Sequence, residues 1–136
     1  MKDLRPALFE YLLADNAIMA AVDGGMFPSR MPQGRRHPSI VYSEVSNVGF
    51  HTFQGPLGFA RPRFQIDAWA ETPDAASYLS NLVKERLDGF KGTMGTAPNA
   101  VTVQGALFQS SRDDYDPEAD LYRRSTDYLI MFVERD

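Results

Sequence analysis

The chain has 136 residues, of which 43% are apolar and 24% charged, with 14 basic and 18 acidic side chains. This length and composition predict a single domain, residues 1–136, with enough apolar side chains for a core, and they exclude a wholly disordered chain. The net charge of −4 argues against a general nucleic-acid binder, because such domains are usually strongly basic. The absence of cysteine excludes a disulfide framework, a thiolate zinc site and a cysteine nucleophile.

The N-terminal stretch is apolar but interrupted by charge. It carries Asp3, Arg5, Glu10 and Asp15, a pattern that a secretory signal does not have. No window of the sequence approaches the ~20 apolar residues that a membrane-spanning helix requires. We therefore expect a soluble protein with no membrane partner.

The first half of the chain predicts one interrupted helix, one strand and two irregular segments. Apolar residues recur at helical spacing over residues 3–22, with a break expected at Asp15. Three prolines in residues 27–39 predict a loop. A strand is predicted over residues 40–48, followed by a second irregular segment or a loose hairpin over residues 49–62.

A strand followed by a helix is the clearest local pattern. Residues 63–71 alternate between apolar and polar side chains, which predicts a strand with one buried face. Thr72 as N-cap, Pro73 in the first turn and Asp74 near the positive end of the helix dipole predict the start of a helix. Gly89 supplies the residue that commonly ends a helix.

The last third of the chain predicts mainly strands. Residues 90–93 suit a short edge strand, residues 101–111 and 121–134 suit longer strands, and the acidic residues 112–120 suit a turn or loop. The predicted order is therefore α–β–β–α–β–β. It corresponds to an α+β fold in which two helices pack on one face of a mostly antiparallel or mixed sheet of four to five strands, with long loops protruding.

The sequence shows no set of residues that converges on a catalytic or metal site. His37 and His51 lie in irregular, basic segments, and we interpret them as solvent or interface histidines. Asp67 and Glu71 would lie about 13 Å apart along a strand, farther than the roughly 5–9.5 Å of a glycosidase pair. The acidic residues 113–118 lack the glycine and the glutamate of a calcium loop. We therefore predict no enzymatic activity, cofactor or metal, and a small metal-dependent or acid–base enzyme is the alternative from another class.

The charges are segregated along the chain, and one loop is rich in aromatic residues. Residues 26–63 contain five arginines and one acid, a net +4, whereas residues 110–120 contain five acids and one arginine, a net −4. The phenylalanines of residues 50–59 either fold back on the core or meet another chain. The charged segments are either solvated or suited to a head-to-tail contact between copies. On the second interpretation, the candidate interface residues are Arg35, Arg36, Phe50, His51, Phe53, Phe59, Arg61, Asp113, Asp114 and Asp116.

Six short segments, in this order, are similar to one family. They are residues 24–28 (GGMFP), 31–34 (MPQG), 37–42 (HPSIVY), 63–70 (RFQIDAWA), 87–93 (LDGFKGT) and the closing pair 113–116 and 121–128. Together they resemble the tail-completion, or tail-terminator, proteins of long-tailed bacteriophages and related gene-transfer particles, over nearly the whole chain. One departure is Ala68, where cysteine is frequent in the family, and we interpret it as a core substitution.

The resemblance implies a structural role in a virion. Such proteins form a ring, expected to be a homohexamer, at the head-proximal end of the tail tube, where they stop tube polymerisation and join the tail to the head connector. The implied partners are other copies of the chain, the tail tube protein and the connector or stopper protein. DNA would pass through the lumen without specific binding, and assembly would take place in the cytoplasm of the host bacterium. Another neck component, such as a connector or stopper ring protein, is the alternative within the same class.

Overall fold

A computed structural model describes residues 3–52 and 55–133, and for residues 47–52 and 55–59 it describes the backbone alone. In chain order, the elements are α1 (Leu4–Leu13), α2 (Asn16–Val22), β1 (Met26–Pro28), β2 (Ser39–Thr52), β3 (Gly55–Ala70), α3 (Pro73–Leu87), β4 (Gly92–Met94), β5 (Val101–Asp116) and β6 (Leu121–Val133). None of the described helices is both long enough and apolar enough to cross a membrane.

The strands form one mixed sheet in the order β1-β2-β3-β6-β5-β4. β1 is parallel to β2, and the other neighbours are antiparallel. The α+β class is confirmed, but the predicted counts are wrong: the described chain has three helices and six strands instead of two helices and four to five strands. The short edge strand predicted over residues 90–93 corresponds to β4, whereas β1 was missed because its three residues are too few to show a two-residue alternation.

The predicted break in the N-terminal helix is confirmed. α1 ends at Leu13, and Asp15 caps α2 by accepting hydrogen bonds from the backbone N–H groups of Ala17 and Ile18 at 2.9 and 3.2 Å. α3 also begins as predicted, because Thr72 Oγ1 accepts from the N–H of Ala75 at 3.1 Å. Gly89 follows this helix with a φ of +83°, a conformation that favours glycine.

The core lies between the three helices and one face of the sheet. The predicted alternation of β3 is confirmed, since its buried apolar residues include Phe64 and Ile66. Phe64 lies opposite Tyr128 of β6, so both side chains point to the same face of the sheet. These residues form one cluster with the apolar faces of α1, α2 and α3.

The hairpin alternative for residues 49–62 is confirmed, whereas most of the loop predicted over residues 112–120 is a strand. β2 continues to Thr52 and β3 begins at Gly55, so most of residues 49–62 form a two-stranded hairpin. β5 continues to Asp116, so only the end of the predicted loop 112–120 is a turn. The loop prediction failed because alternation marks a strand with one buried face, whereas the end of β5 is exposed on both faces.

Candidate functional site

Arg35 holds the segment after β1 against the end of α2. Its Nε donates to Ser39 Oγ at 2.6 Å, and its Nη2 donates to the backbone carbonyl of Val22 at 2.6 Å. Its guanidinium also lies 5.4 Å from the centre of the Phe27 ring. Two N–H groups of Arg35 are therefore used within its own chain, and an additional contact with another copy stays a prediction.

Arg36 joins the basic segment to the acidic turn in the same chain. Its guanidinium donates to the backbone carbonyls of Ala119 and Asp120 at 2.9 and 3.1 Å. The carboxylate of Glu71 lies 3.5 Å away. The two segments of opposite charge thus meet within one molecule and form one composite charged surface, which consists of Arg36, Glu71 and residues 116–120.

The predicted acidic interface residues also have partners in their own chain. Asp114 pairs with Arg123 at 2.8 Å, and Asp113 pairs with Arg124 at 2.7 Å. Asp116 accepts hydrogen bonds from the backbone N–H groups of residues 118 and 119 and so shapes the turn. The hydrogen bond from Arg124 holds the pKa of Asp113 below its ordinary value.

The aromatic candidates fall on the hairpin. Phe53 lies outside the described residues. For Phe50, His51 and Phe59, the structure describes the backbone alone. Arg61 is half-buried on β3, opposite Val48. Their role in contacts between copies stays a prediction.

A groove between α1 and the sheet was not predicted from the sequence. Its apolar lining comes from Pro6, Phe9 and Leu13 of α1, together with Pro28 and Tyr42, and it has a volume of about 790 Å³. Phe9 is 36% exposed and lies 6.1 Å from the Tyr42 ring, centre to centre. The sequence does contain a signal for this groove. Phe9 and Leu13, at a spacing of four, form a second apolar pair on α1 beside the buried residues of that helix.

A second cavity lies on the other face of the sheet, under residues 29–36, with a volume of about 640 Å³. Asp67 lines it and is only 7% exposed, and both its carboxylate oxygens accept from Gln65 Nε2, at 3.1 and 3.2 Å. Trp69 lies beside it, with the Arg123 guanidinium 5.2 Å from its ring centre. Within residues 3–52 and 55–133, no group of three or more metal-ligating side chains is placed to hold an ion.

The family model described as Tail completion protein gp17 matches residues 6–132. The chain belongs to this family. The resemblance seen in the sequence is therefore confirmed, and the chain is a structural protein of bacteriophage-type tails. A comparison with curated proteins found no match.

The fold of this tail completion protein is also found among solved structures. Of these, 21 chains match, one of them from a structure titled "Virion of native gene transfer agent (GTA) particle". That chain aligns with a TM-score of 0.77 at 16% sequence identity, over 95% of the present chain and 93% of its own length. At this identity the likeness shows the fold.

Neutralising Asp113 tests the contribution of the charge pair to stability. We expect Asp113→Asn to lower the free energy of unfolding at pH 7 by at most about 1 kcal/mol, because the pair is solvent-exposed. Since the pKa of Asp113 is lowered in the folded state, its contribution is present above about pH 4 and disappears as the carboxylate protonates at lower pH. Urea unfolding at pH 7 and below pH 3 measures both effects.

Glu118→Gln is the matched control, because the Glu118 carboxylate forms no ion pair with the described residues. It removes the same charge from the turn that follows β5 and should leave stability unchanged. Equal losses in both variants would show that net charge, and not the pair with Arg124, controls stability.

Proposed function

We propose that this tail completion protein acts as a terminator: a ring of copies at the head-proximal end of the tail tube that stops tube polymerisation. One ring face would match the last ring of tube protein, and the other would not, so addition of tube subunits ends there. The second face would join the tail to the connector or stopper protein of the head. The family and the fold support a tail component of this kind.

The observation that carries the proposal is a hairpin that extends beyond its neighbouring strands. On one side, β1 ends at Pro28, opposite Tyr42, while β2 continues to Thr52. On the other side, the described pairing of β6 with β3 ends at Phe59. We call residues 49–60 the arm. Beyond Tyr42 on β2 and before Phe59 on β3, the edges of this projecting pair have no partner strand among the described residues, and such edges are suited to contact with another chain.

The candidate interface residues fit this proposal in two groups. Phe50, His51, Phe53, Phe59 and Arg61 belong to the arm or its base, and we propose that they contact a neighbouring copy. Arg36 and Asp116 belong to the composite charged surface, while Arg35, Asp113 and Asp114 support or border it. We propose that this surface faces a neighbouring copy or the adjoining ring.

The remaining parts of the proposal follow from the same role. Residues 1–136 act as one domain, six copies form the ring, and assembly takes place in the bacterial cytoplasm before the tail joins the head. The protein works as a cap and not as an enzyme. DNA crosses the lumen without specific contacts, which suits a chain with a net charge of −4.

The test is the growth of tail tubes in the presence of the purified protein. We expect growth to stop at stoichiometric addition, with six copies at one tube end, seen by negative-stain microscopy and counted by mass. Replacing residues 50–59 with Asn-Gly, which closes the Gly49–Ala60 pair with a tight turn, should leave a folded protein that no longer stops growth.

Tyr78→Ala is the matched control, because Tyr78 is 62% exposed on α3, the helix that covers the sheet centre. It should stop tube growth like the unaltered protein. Tubes that lengthen at an unchanged rate in an excess of the unaltered protein would overturn the proposed function.

A further inference from the structure

Beyond Tyr42, where the pairing with β1 ends, the outer edge of β2 has no neighbouring strand among the described residues. The N–H of Ile40 bonds to the carbonyl of Gly25 at 2.8 Å, and the carbonyl of Tyr42 accepts from Ser29 at 2.9 Å, so both residues direct their backbone groups toward the β1 side. By the two-residue period of a strand, which holds up to the register shift between Glu44 and Ser46, Glu44 directs its N–H and C=O to the same side. No described strand pairs with this edge beyond Tyr42. It is therefore available to a strand from another chain.

The groove described above lies beside this free edge. Pro28 ends β1 and forms one wall, Tyr42 forms the floor next to the edge, and Phe9 and Leu13 of α1 form the opposite wall. A strand placed along the edge directs alternate side chains to the helix face of the sheet. A strand edge that can form main-chain hydrogen bonds thus lies beside an apolar groove. Sites that bind an extended strand combine these two features.

The rim of the groove is acidic. Asp3 pairs with Arg5 at 2.8 Å, and Glu10 accepts hydrogen bonds from the N–H and the hydroxyl of Thr96. Glu44 lies nearby, and burial, together with the negative charge of Asp3, raises the pKa of its carboxyl group. Three acids and one arginine make this rim complementary to a basic partner.

The arm and its base have the matching chemistry. Residues 45–63 contain two arginines and no acid, and most of the remaining residues are apolar or glycine. From the Gly49–Ala60 pair to the turn, the arm extends by about four residues, or roughly 13 Å. The end of β3 at Gly55 therefore provides a second projecting strand edge, on the opposite side of the arm from the free edge of β2.

We propose that the groove between α1 and β2 of one copy receives the arm of the next copy. The arm adds a strand to the free edge of β2, its apolar residues contact Phe9 and Tyr42, and Arg61 and Arg63 at its base lie on the side of Glu10 and Glu44. Groove and arm are different surfaces of one chain, so each copy donates to one neighbour and accepts from another. Such head-to-tail contacts close into a ring when the rotation permits. This inference rests on the proposed function, for which it supplies the contact between subunits.

The absence of native cysteine allows a direct test with separately purified single-cysteine proteins. Ala14→Cys places a thiol in the groove, Leu57→Cys places one on the arm, and the two proteins are mixed and oxidised. The matched control replaces Ala14→Cys with Ala20→Cys, because Ala20 is an exposed alanine on α2 outside the groove. We expect at least ten times more mixed disulfide with Ala14→Cys than with Ala20→Cys.

A second pair of variants tests the apolar contact. Phe9→Glu places a carboxylate in the groove, and Met19→Glu places one on an exposed apolar side chain of α2. We expect Phe9→Glu to raise the concentration needed for ring formation at least tenfold, while Met19→Glu leaves it unchanged. Thermal unfolding of both variants checks that each is folded.

The outcomes separate this inference from the proposed function. Rings without mixed disulfide above the control, or rings that form equally well with Phe9→Glu and Met19→Glu, overturn the groove contact and leave the terminator role standing. Mixed disulfide between copies that never close into rings supports the contact and overturns the ring. Absence of both association and mixed disulfide, with or without tail tubes, overturns the groove contact.

Discussion

Adding one methyl group at Gly25 is expected to lower the free energy of unfolding by about 2–3 kcal/mol. A Cβ atom built on Gly25 would lie 2.2 Å from Nη2 and 2.6 Å from Cζ of Arg35, far inside van der Waals contact. The guanidinium would have to leave its bonds to the carbonyl of Val22 and the hydroxyl of Ser39. Hydrogen bonds from a charged donor contribute about 1.5–3 kcal/mol each. The carbonyl of Val22 keeps its bond from the N–H of Gly25, and the Ser39 hydroxyl still donates to the carbonyl of His37, so the cost is the loss of the two Arg35 bonds.

A double-mutant cycle distinguishes this mechanism from a general intolerance of Gly25 to substitution. Arg35→Ala removes the same hydrogen bonds and should cost about as much as Gly25→Ala. In the Arg35→Ala background, Gly25→Ala should be nearly neutral, because the atoms that it would displace are absent. The coupling energy of the pair is then about 2 kcal/mol, measured by urea unfolding of the four proteins.

Gly105→Ala is the matched control for this cycle. A Cβ at Gly105 meets no atom within 4 Å, and its φ lies outside the positive range. We expect an effect within about 0.5 kcal/mol. If Gly25→Ala costs no more than Gly105→Ala, the guanidinium can move away at little cost, and the anchoring role of Arg35 is wrong.

The local elements that the sequence predicted correctly are those whose signals act at short range. α3 combines an N-cap, a first-turn proline and a following glycine, so its start and end depend on neighbouring residues alone. The break before α2 depends on Asp15, whose carboxylate bonds to N–H groups two and three residues along the chain. The alternation of β3 reflects a core on one face only, which a two-residue period records directly.

The elements that were missed depend on distant parts of the chain. β1 is a strand because three residues lie beside β2 in parallel, which is a tertiary contact without a local signature. For residues 49–62, the sequence left an irregular segment and a loose hairpin open, because glycines and a proline are typical of loops and only the pairing of the two strands decides for the hairpin. The groove beside the arm likewise combines α1 with β1 and β2, which the sequence does not place together.

The partners of the charged segments also depend on the tertiary fold and could not be assigned from the sequence. For the basic and acidic segments, the sequence predicted either solvation or a head-to-tail contact between copies, whereas Arg36 bonds to residues 119 and 120 of its own chain, 83 and 84 positions away. The sequence could not tell whether they meet within one chain or between two, because that depends on the tertiary fold. Their contact in one molecule leaves the groove and the arm as the more specific pair of complementary surfaces for a neighbouring copy.

A buried hydroxyl in the centre of the sheet predicts a substitution that raises the free energy of unfolding. Tyr128 is fully buried on β6 between Phe64 and Phe108 of the adjacent strands, and its hydroxyl has no hydrogen-bond partner among the described residues. An unpaired buried hydroxyl costs about 1–3 kcal/mol. We therefore expect Tyr128→Phe to raise the free energy of unfolding by about 1–2 kcal/mol at pH 7, measured by urea unfolding.

The matched control is Tyr11→Phe, because the Tyr11 hydroxyl donates to the carbonyl of Arg86 at 2.9 Å. We expect this substitution to lower the free energy of unfolding by about 1 kcal/mol. Alkaline pH provides a second measurement. Burial raises the pKa of Tyr128 above its ordinary value, so the unfolded chain ionises this residue first and stability falls as the pH rises above about 10. The advantage of Tyr128→Phe should therefore increase above pH 10. A loss of stability in Tyr128→Phe similar to that in Tyr11→Phe would show that the hydroxyl is satisfied in the folded protein.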